Sequence, residues 1–264
     1  MKLCMIGLGQ MGSTLLKGIL AQGVFAPEEI IGCDCQLSEI AEESLEGIKT
    51  TTDNLQGVKQ AEAVLLAVKP QVLEDVLQEI EEVVADKLII SIAAGVRIAR
   101  IRKNISTSVR TARVMPNTPV LVQQGVSALS FSYNCTEEDK QLVRKIFSAV
   151  GEIVEVEEKM MDVITGLSGS GPAYVYTMIE ALSDGAVLKG LPREQALKLA
   201  AATVQGAAKM VLETDQHPAQ LKEMVTSPAG TTIAGLEELE KGAFRSLLIQ
   251  TVKKAAERSQ ELGK

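Results

Sequence analysis

The chain has 264 residues, 46% of them apolar, and a formal net charge of −7 at pH 7. This length suits two domains or one large one, and the apolar fraction is enough to build a substantial core. The negative charge argues against nucleic acid as a partner, and no segment is long and apolar enough to predict a membrane span or a membrane partner.

The first segment, MKLCMIGLGQMG, combines a charge with a short apolar run, as a secretory signal does. The run is too short for a signal, ends in glycines and is soon followed by Lys17, so it predicts a buried strand and a turn. We therefore expect a cytoplasmic protein whose four cysteines are buried thiols. Cys33 and Cys35 have no second Cys or His cluster to complete a tetrahedral site, so no metal is expected.

Residues 1–95 alternate short apolar runs with amphipathic stretches, which predicts a parallel sheet with helices on both faces. Strands are expected at Lys2–Ile6, Ile30–Asp34, Ala63–Val68, Leu88–Ile92, Arg113–Val114, Val126–Phe131 and Ile153–Val156. Helices are expected at Val72–Val84, where apolar residues share one face, and at Glu137–Val150. The basic residues from Arg97 to Arg113 are interpreted as a solvated helix face followed by a strand end, with an anion-binding patch as the alternative.

The segment Gly7-Leu8-Gly9-Gln10-Met11-Gly12 follows the first strand directly and opens a helix. This is the context in which a G-x-G-x-x-G motif indicates dinucleotide binding, and an ordinary strand–turn–helix is the alternative. Gly7 permits the tight turn, Gly9 lets the backbone approach a pyrophosphate, and Gly12 lets the helix pack close to the strand. The predicted fold over residues 1–160 is therefore an α/β Rossmann-type dinucleotide-binding domain.

Asp34 ends the second strand about twenty residues after the glycines, where a carboxylate bonds the adenosine ribose 2′-OH. A 2′-phosphate would meet like charge there, and residues 35–38 include no Arg or Lys. We therefore predict that NADH is used at least as well as NADPH. The alternative is that Asp34 caps the next turn and ignores the ribose.

Two later strand ends, Ala67–Pro70 and Ser91–Gly95, also face the cofactor if the sheet is doubly wound. Their small residues suit a close approach of nucleotide and backbone. Lys69 either contributes charge to the phosphates or is solvated.

From about Met160 the strand patterns stop and helix signals take over, among them a proline that begins a helix at Pro218 and a glycine stop at Gly242. The stretch Glu194–Leu212 is apolar on nearly every face, so a helix there must be covered on every side. We expect the same domain of a second subunit to cover it, which predicts an all-α dimerisation domain over residues 161–264 and a homodimer. A compact monomeric bundle with one central helix is the alternative.

The sequence offers few candidates for a general acid or base. The one histidine, His217, precedes a helix-starting proline, which is typical of a surface or capping residue. Pure hydride transfer from a bound nicotinamide is therefore expected. The segment Thr226–Thr232 is a small-residue loop that runs into a helix, Ile233–Glu240. Its free N–H groups can form a nest for a small carboxylate, with threonine hydroxyls as further donors, and a capped turn between helices is the alternative.

These segments resemble those of a known family, 1-pyrroline-5-carboxylate reductase, and the resemblance covers essentially the whole chain. The most specific matches are QHPAQLK at Gln216–Lys222 and VTSPAGTTIAGL at Val225–Leu236. GLGQMG, AVKP, Met115–Pro119 and GLSGSGPAY support them.

The resemblance implies a helical domain intertwined into a dimer, often a ring of dimers, and reduction of a cyclic imine carboxylate to L-proline by NAD(P)H, usually NADPH, the last step of proline biosynthesis. By position, Thr232 would bond the ring nitrogen, and Asp215 falls where some members place a Glu, so its shorter side chain would reach the substrate through water. The expected substrate-binding residues are Asp215, Ser227, Gly230, Thr231 and Thr232. The expected cofactor-binding residues are Ile6, Gly7, Gly9, Gln10, Met11, Gly12, Asp34, Asn54, Ala67, Val68, Lys69, Pro70, Ile92, Ala93 and Ala94.

Two other classes of function stay open. A 3-hydroxyacid dehydrogenase also pairs a GLGxMG-like start with a helical domain, but that family has a lysine where this chain has Val175, four residues after Gly171. A dinucleotide-sensing regulatory protein would bind the cofactor tightly without turnover.

Overall fold

The structure, a computed structural model of the chain, describes residues 2–40, 42 and 45–263. By its internal contacts the chain divides into two compact units, Met1–Ser170 with Lys254–Lys264, and Gly171–Lys253. The predicted division at residues 160 and 161 stays a prediction. In the observed division residues 161–170 and the end of the chain go with the first unit, where the hydroxyl of Ser259 donates to Asp162.

The first unit is built on an eight-stranded sheet in the order β3-β2-β1-β4-β5-β6-β7-β8. Its strands are β1 Leu3–Ile6, β2 Ile30–Cys33, β3 Lys49–Thr51, β4 Ala63–Leu66, β5 Leu88–Ser91, β6 Arg110–Met115, β7 Gly125–Phe131 and β8 Gly151–Glu155. Neighbouring strands are parallel except for the antiparallel pair β6 and β7. The strand order reverses between β1 and β4, and a doubly wound sheet opens its ligand crevice at such a point, outside the carboxyl ends of the strands.

Eleven α-helices lie in the described residues. The first unit contains α1 Gln10–Ala21, α2 Asn54–Lys59, α3 Leu73–Ile80, α4 Ile98–Asn104, α5 Glu137–Ser148 and α6 Met161–Ile164, which continues into a π-helical turn at Thr165–Gly169. Then follow α7 Gly171–Leu188, α8 Arg193–Glu213, α9 Pro218–Met224, α10 Thr231–Lys241 and α11 Phe244–Leu262. None of the described helices is long and apolar enough to cross a bilayer.

Side chains of β1 alternate between two buried apolar clusters, one on each face of the sheet, because successive residues of a strand point to opposite faces. Leu3 and Met5 pack with residues of α1 and α5, whereas Cys4 and Ile6 pack with residues of α2, α3 and α4. The predicted parallel sheet with helices on both faces is therefore confirmed.

The structure differs from the sequence predictions at several positions. The strand β3 was missed, because its three residues, Lys-Thr-Thr, contain no apolar side chain and are largely exposed. Cys35 is exposed rather than buried, since it follows the end of β2, and Cys135 is only half-buried. Arg102 and Arg113 are buried, so the basic stretch is only in part a solvated face.

Candidate active site

In the glycine loop between β1 and α1, Gly7 and Gly12 are sterically required, whereas Gly9 leaves open space. Gly7 has a φ of +94°, and a Cβ there would lie 2.6 Å from the carbonyl oxygen of Ala67. A Cβ on Gly12 would lie 2.0 Å from the carbonyl oxygen of Gly7, so α1 packs directly on the loop. Gly9 has open space where its Cβ would be, which leaves its backbone accessible to a ligand.

The N-terminus of α1 is open toward that space. Gly9 occupies the N-cap position and makes no side-chain cap. Among the described residues no hydrogen bond reaches the N–H groups of Gln10, Met11 or Gly12. The free first N–H groups of a twelve-residue helix can bind phosphate oxygens, so this loop fits the pyrophosphate of a dinucleotide.

Asp34 lies directly after β2 and ties the loop to the next turn. Its Oδ2 accepts the N–H of Leu8 at 2.8 Å, and its Oδ1 accepts the N–H of Gln36 at 2.9 Å. The turn-capping alternative is therefore seen in the structure. Each carboxylate oxygen has a second lone pair, so the same residue keeps the capacity to accept a ribose hydroxyl.

A cavity of about 340 Å³ lies at the carboxyl ends of β4, β5 and β6. It is lined by Met11, Ala67, Val68, Lys69, Pro70, Ile92, Ala93, Ala94, Met115, Pro116, Asn117, Thr118 and Gly169. The structure thus brings together both predicted strand-end segments and the start of α1. Because β1 to β3 lie on the other side of the reversal in strand order, this cavity belongs to the half of the crevice that is formed by β4 to β6.

Five of the lining residues, Met115 to Thr118 and Gly169, were not predicted as site residues. They belong to two of the supporting motifs, MPNTP and GLSGSGPAY. The motifs were recognised in the sequence, but the sequence did not show that they lie beside the cavity. Gly169 ends the π-helical turn, and a Cβ there would lie 2.6 Å from the Cε of Met115. Turns of this kind are frequent at functional sites.

Asn54, the first residue of α2, lies outside this cavity. Its side-chain amide donates to the carboxylate of Glu79 in α3, with 2.7 Å between Nδ2 and Oε2. Its neighbour Asp53 caps α2 by accepting the N–H of Gln56. The role of Asn54 at the cofactor stays a prediction.

In the second unit, α10 begins in the same open way as α1. Gly230 is its N-cap without a side-chain cap, and no hydrogen bond from the described residues reaches the N–H of Thr231, Thr232 or Ile233. A Cβ on Gly230 would lie 2.3 Å from the Oγ of Ser227, which places that hydroxyl beside the helix start. Such a terminus can hold a carboxylate by its N–H groups.

The hydroxyl of Thr232 has no hydrogen-bond partner among the described residues. The hydroxyls of Thr177, Thr203 and Thr251, by contrast, bond back to helix carbonyls. Thr232 therefore has both a free donor and a free acceptor at the start of α10.

Two other candidates of the second unit lie before α9. His217 caps that helix, with Nδ1 accepting the N–H of Ala219 at 3.2 Å, so it is the capping residue that the sequence predicted. Asp215 is exposed in the bend between α8 and α9, and its role at the substrate stays a prediction.

Two family models match the chain. One, described as NADP oxidoreductase coenzyme F420-dependent, matches residues 2–95. The other, described as pyrroline-5-carboxylate reductase dimerisation, matches residues 158–262.

Relatives extend the match to the full length. The pyrroline-5-carboxylate reductase of Methanosarcina acetivorans is 46% identical over 100% of this chain and 98% of its own length. This chain belongs to the pyrroline-5-carboxylate reductase family. The pyrroline-5-carboxylate reductase of Arabidopsis thaliana is 44% identical over 99% of this chain and 95% of its own.

Solved structures of pyrroline-5-carboxylate reductases share the fold. The Plasmodium falciparum protein, crystallised with NADP bound, is 35% identical over 100% of this chain and 98% of its own, with a TM-score of 0.91. The Coxiella burnetii protein is 38% identical over the same shares, with a TM-score of 0.93. The predicted family and the predicted fold, a Rossmann-type domain followed by a helical dimerisation domain, are confirmed.

Proposed function

We propose that this chain is an NAD(P)H-dependent reductase that converts 1-pyrroline-5-carboxylate to L-proline. The observation that carries the proposal is identity of 46% to a pyrroline-5-carboxylate reductase over essentially the full length of both chains. The substrate is a small molecule, and the reaction reduces its C=N bond. This reaction is the last step of proline biosynthesis.

The first unit would hold the cofactor. The free N–H groups at the start of α1 and the open space at Gly9 fit the pyrophosphate, and the cavity lined by Ala67–Pro70 and Ile92–Ala94 fits the nicotinamide. Ile6 supports the loop from the end of β1, and Asn54 would border the adenosine end. When bound, the reduced nicotinamide supplies a hydride.

Asp34 would select between the two cofactors. Its carboxylate would accept the 2′-hydroxyl of NADH and repel the 2′-phosphate of NADPH, because no cation follows it in residues 35–38. We therefore propose that NADH is used at least as well as NADPH, although the family resemblance favours NADPH.

The start of α10 would hold the substrate. The N–H groups of Thr231 and Thr232 would bind the carboxylate, with Ser227 and Gly230 shaping the loop, and the hydroxyl of Thr232 would hydrogen-bond the ring nitrogen. Carbon 5 of the protonated imine is electrophilic without further activation. Addition of a hydride there converts the C=N⁺–H group to a secondary amine without a protein proton donor. A neutral hydroxyl beside the nitrogen orients the ring without repelling its positive charge.

The remaining proposals concern the assembly and its setting. The helical part, proposed as residues 161–264, would form the homodimer, and a ring of dimers is the proposed final assembly. Residues 1–160 are the proposed cofactor domain. We propose a cytoplasmic enzyme with no membrane or nucleic-acid partner.

The test is a steady-state assay of NADH and NADPH oxidation with pyrroline-5-carboxylate, run beside oxidation of 3-hydroxyacids. We expect turnover that depends on the pyrroline and yields proline. Oxidation of a hydroxyacid alone would support the dehydrogenase alternative, and tight nucleotide binding without any turnover would support the sensing protein.

A further inference from the structure

Asn117 is a buried amide whose two ends are both bonded. Its side chain lies in the connection between β6 and β7 and the residue is only 8% exposed. Nδ2 donates to the carbonyl oxygen of Ser168 at 3.2 Å, and Oδ1 accepts the N–H of Val126 at 3.0 Å. Burying such a group is favourable only when its donor and its acceptor are both used.

The two partners of Asn117 belong to segments far apart in the sequence. Ser168 lies in the π-helical turn, and Val126 lies in β7. The turn ends at Gly169, which contacts the side chain of Met115, and both residues line the 340 Å³ cavity. One wall of the cavity therefore consists of the π-helical turn and the segment Met115–Thr118, and the hydrogen bond from Asn117 to Ser168 holds the two together.

We propose that Asn117 is a positioning residue for hydride transfer. Its amide fixes the π-helical turn against the segment Met115–Thr118, and this fixes the wall against which the nicotinamide lies. The inference rests on the proposed function, because it assigns the cavity to the nicotinamide. A displacement of a reacting group by about 1 Å can cost about a hundredfold in rate, so a wall of this kind affects turnover more than cofactor affinity.

A carboxamide is the group that this position needs, because it donates on one side and accepts on the other. An ionised carboxylate at 117 would still accept the N–H of Val126, but it would repel the carbonyl oxygen of Ser168. A protonated carboxyl group would restore the donor. Asn117→Asp is therefore a nearly isosteric variant whose hydrogen bond to Ser168 is present at low pH and lost as the pH rises.

The experiment measures kcat and KM of Asn117→Asp with NADH and pyrroline-5-carboxylate, each as a ratio to the wild type at the same pH. Burial raises the pKa of a carboxyl group, so ionisation is expected within the assay range of about pH 5.5 to 8.5. We expect the kcat ratio to fall at least about tenfold from the lower to the upper pH, while the KM for NADH changes less than about threefold. Among the residues lining the cavity, Lys69 is the one ionisable side chain.

Asn134→Asp is the matched control. Asn134 lies in the same unit, donates to the carbonyl oxygen of Ser108 at 2.7 Å and accepts the hydroxyl of Ser132 at 2.7 Å, but it does not line the cavity. Its kcat ratio should stay flat with pH. Circular dichroism at both pH values shows whether each variant is folded where its kcat is measured.

A second variant keeps the proposal testable if Asn117→Asp does not fold. Asn117→Ser retains a short hydroxyl for Val126 but cannot reach Ser168, so we expect a folded protein with lowered kcat and nearly unchanged KM for NADH. A kcat ratio near one at every pH, or an equal loss in kcat and in NADH binding for both variants, would overturn the positioning role. A wild type without pyrroline-dependent turnover would instead overturn the proposed function and the role together.

Discussion

Thr232 is the residue on which substrate orientation depends in this account. Its hydroxyl is free, whereas the hydroxyls of Thr177, Thr203 and Thr251 bond to helix carbonyls, and it stands at the open start of α10. We predict that Thr232→Ala lowers kcat/KM for pyrroline-5-carboxylate by about tenfold or more, since a hydrogen bond to a charged group contributes about 1.5–3 kcal/mol. Steady-state kinetics check this.

The control for Thr232→Ala is Thr251→Ala, which removes a helical hydroxyl that is bonded to the carbonyl of Leu247. Both variants should keep the thermal midpoint of the wild type to within a few degrees. Kinetics of Thr232→Ala equal to those of Thr251→Ala would remove Thr232 from the site.

Asp34 has a structural role in the turn after β2, and we propose that it also selects the cofactor. We predict that Asp34→Asn raises the ratio of kcat/KM with NADPH to kcat/KM with NADH by about tenfold, about 1.4 kcal/mol, because it removes the charge that faces a 2′-phosphate. It should also lower the thermal midpoint. The two carboxylate oxygens of Asp34 accept the N–H groups of Leu8 and Gln36, whereas an asparagine has one oxygen and an NH₂ group that cannot accept, so one of the two hydrogen bonds is lost.

Glu39→Gln makes the same charge change in the same segment, where Glu39 accepts from the side chain of Gln36. Its cofactor ratio should equal that of the wild type. A wild type that prefers NADPH tenfold or more would contradict the role assigned to Asp34.

Single residues could be predicted where a local pattern carries the information. The three glycines and Asp34 follow from the spacing in one strand–turn–helix, and the structure gives a steric reason for Gly7 and Gly12 and a hydrogen-bonding reason for Asp34. Asn117 could not be predicted in this way. Its significance comes from a contact with Ser168, and no sequence pattern shows that these two residues meet.

At the scale of elements, a buried polar cluster holds the end of α11 in the first unit. The hydroxyl of Ser259 donates to Asp162 at 2.7 Å, and Arg113 lies between the carboxylates of Glu158 and Asp162 at 3.4 and 4.0 Å. Burial lowers the pKa of the Arg113 guanidinium, and the two carboxylates oppose that shift. The buried Arg113 and Asp162 are therefore paired, and Glu158 completes the cluster at its partly exposed side.

We predict that Ser259→Ala lowers the free energy of unfolding by about 2 kcal/mol, because it removes a buried hydrogen bond to a charged group. Denaturant unfolding at fixed protein concentration measures the loss. Ser106→Ala removes an exposed hydroxyl pair with Ser108 and should change stability by less than about 0.5 kcal/mol. Equal stability of the two variants would show that the contact with Asp162 contributes nothing.

The strands with apolar runs were predictable, because a buried parallel strand needs a continuous apolar sequence. β3 was not, since its exposed Lys-Thr-Thr sequence is held by pairing with β2 rather than by burial. The burial of Arg113 was also missed, because its acidic partners are 45 and 49 residues further along the chain.

At the scale of the whole molecule, the helical unit exposes more apolar surface than is usual for a monomeric protein. In α8 only Ala196 and Ala200 are buried, while Leu199 is 57% and Leu212 is 82% exposed. Exposed apolar surface of this extent marks an interface, and residues 158–262 match the dimerisation model of the family. The sequence predicted this because α8 is apolar on nearly every face.

We predict that the wild type sediments as a dimer or larger, and that Leu199→Glu shifts it toward the monomer mass, since a buried unpaired carboxylate is costly at an interface. Val154→Glu places the same charge at an exposed position of β8 in the first unit and should leave the mass unchanged. Analytical ultracentrifugation decides. A monomeric wild type at micromolar concentration would contradict the assembly.

The central claim is that hydride passes from the nicotinamide to carbon 5 of the pyrroline. The most direct measurement uses NADH in which both hydrogens at carbon 4 of the nicotinamide are replaced by deuterium, with the proline product analysed by mass spectrometry and NMR. We expect proline with one deuterium, at carbon 5. Proline without deuterium, or NADH oxidation without proline, would contradict it.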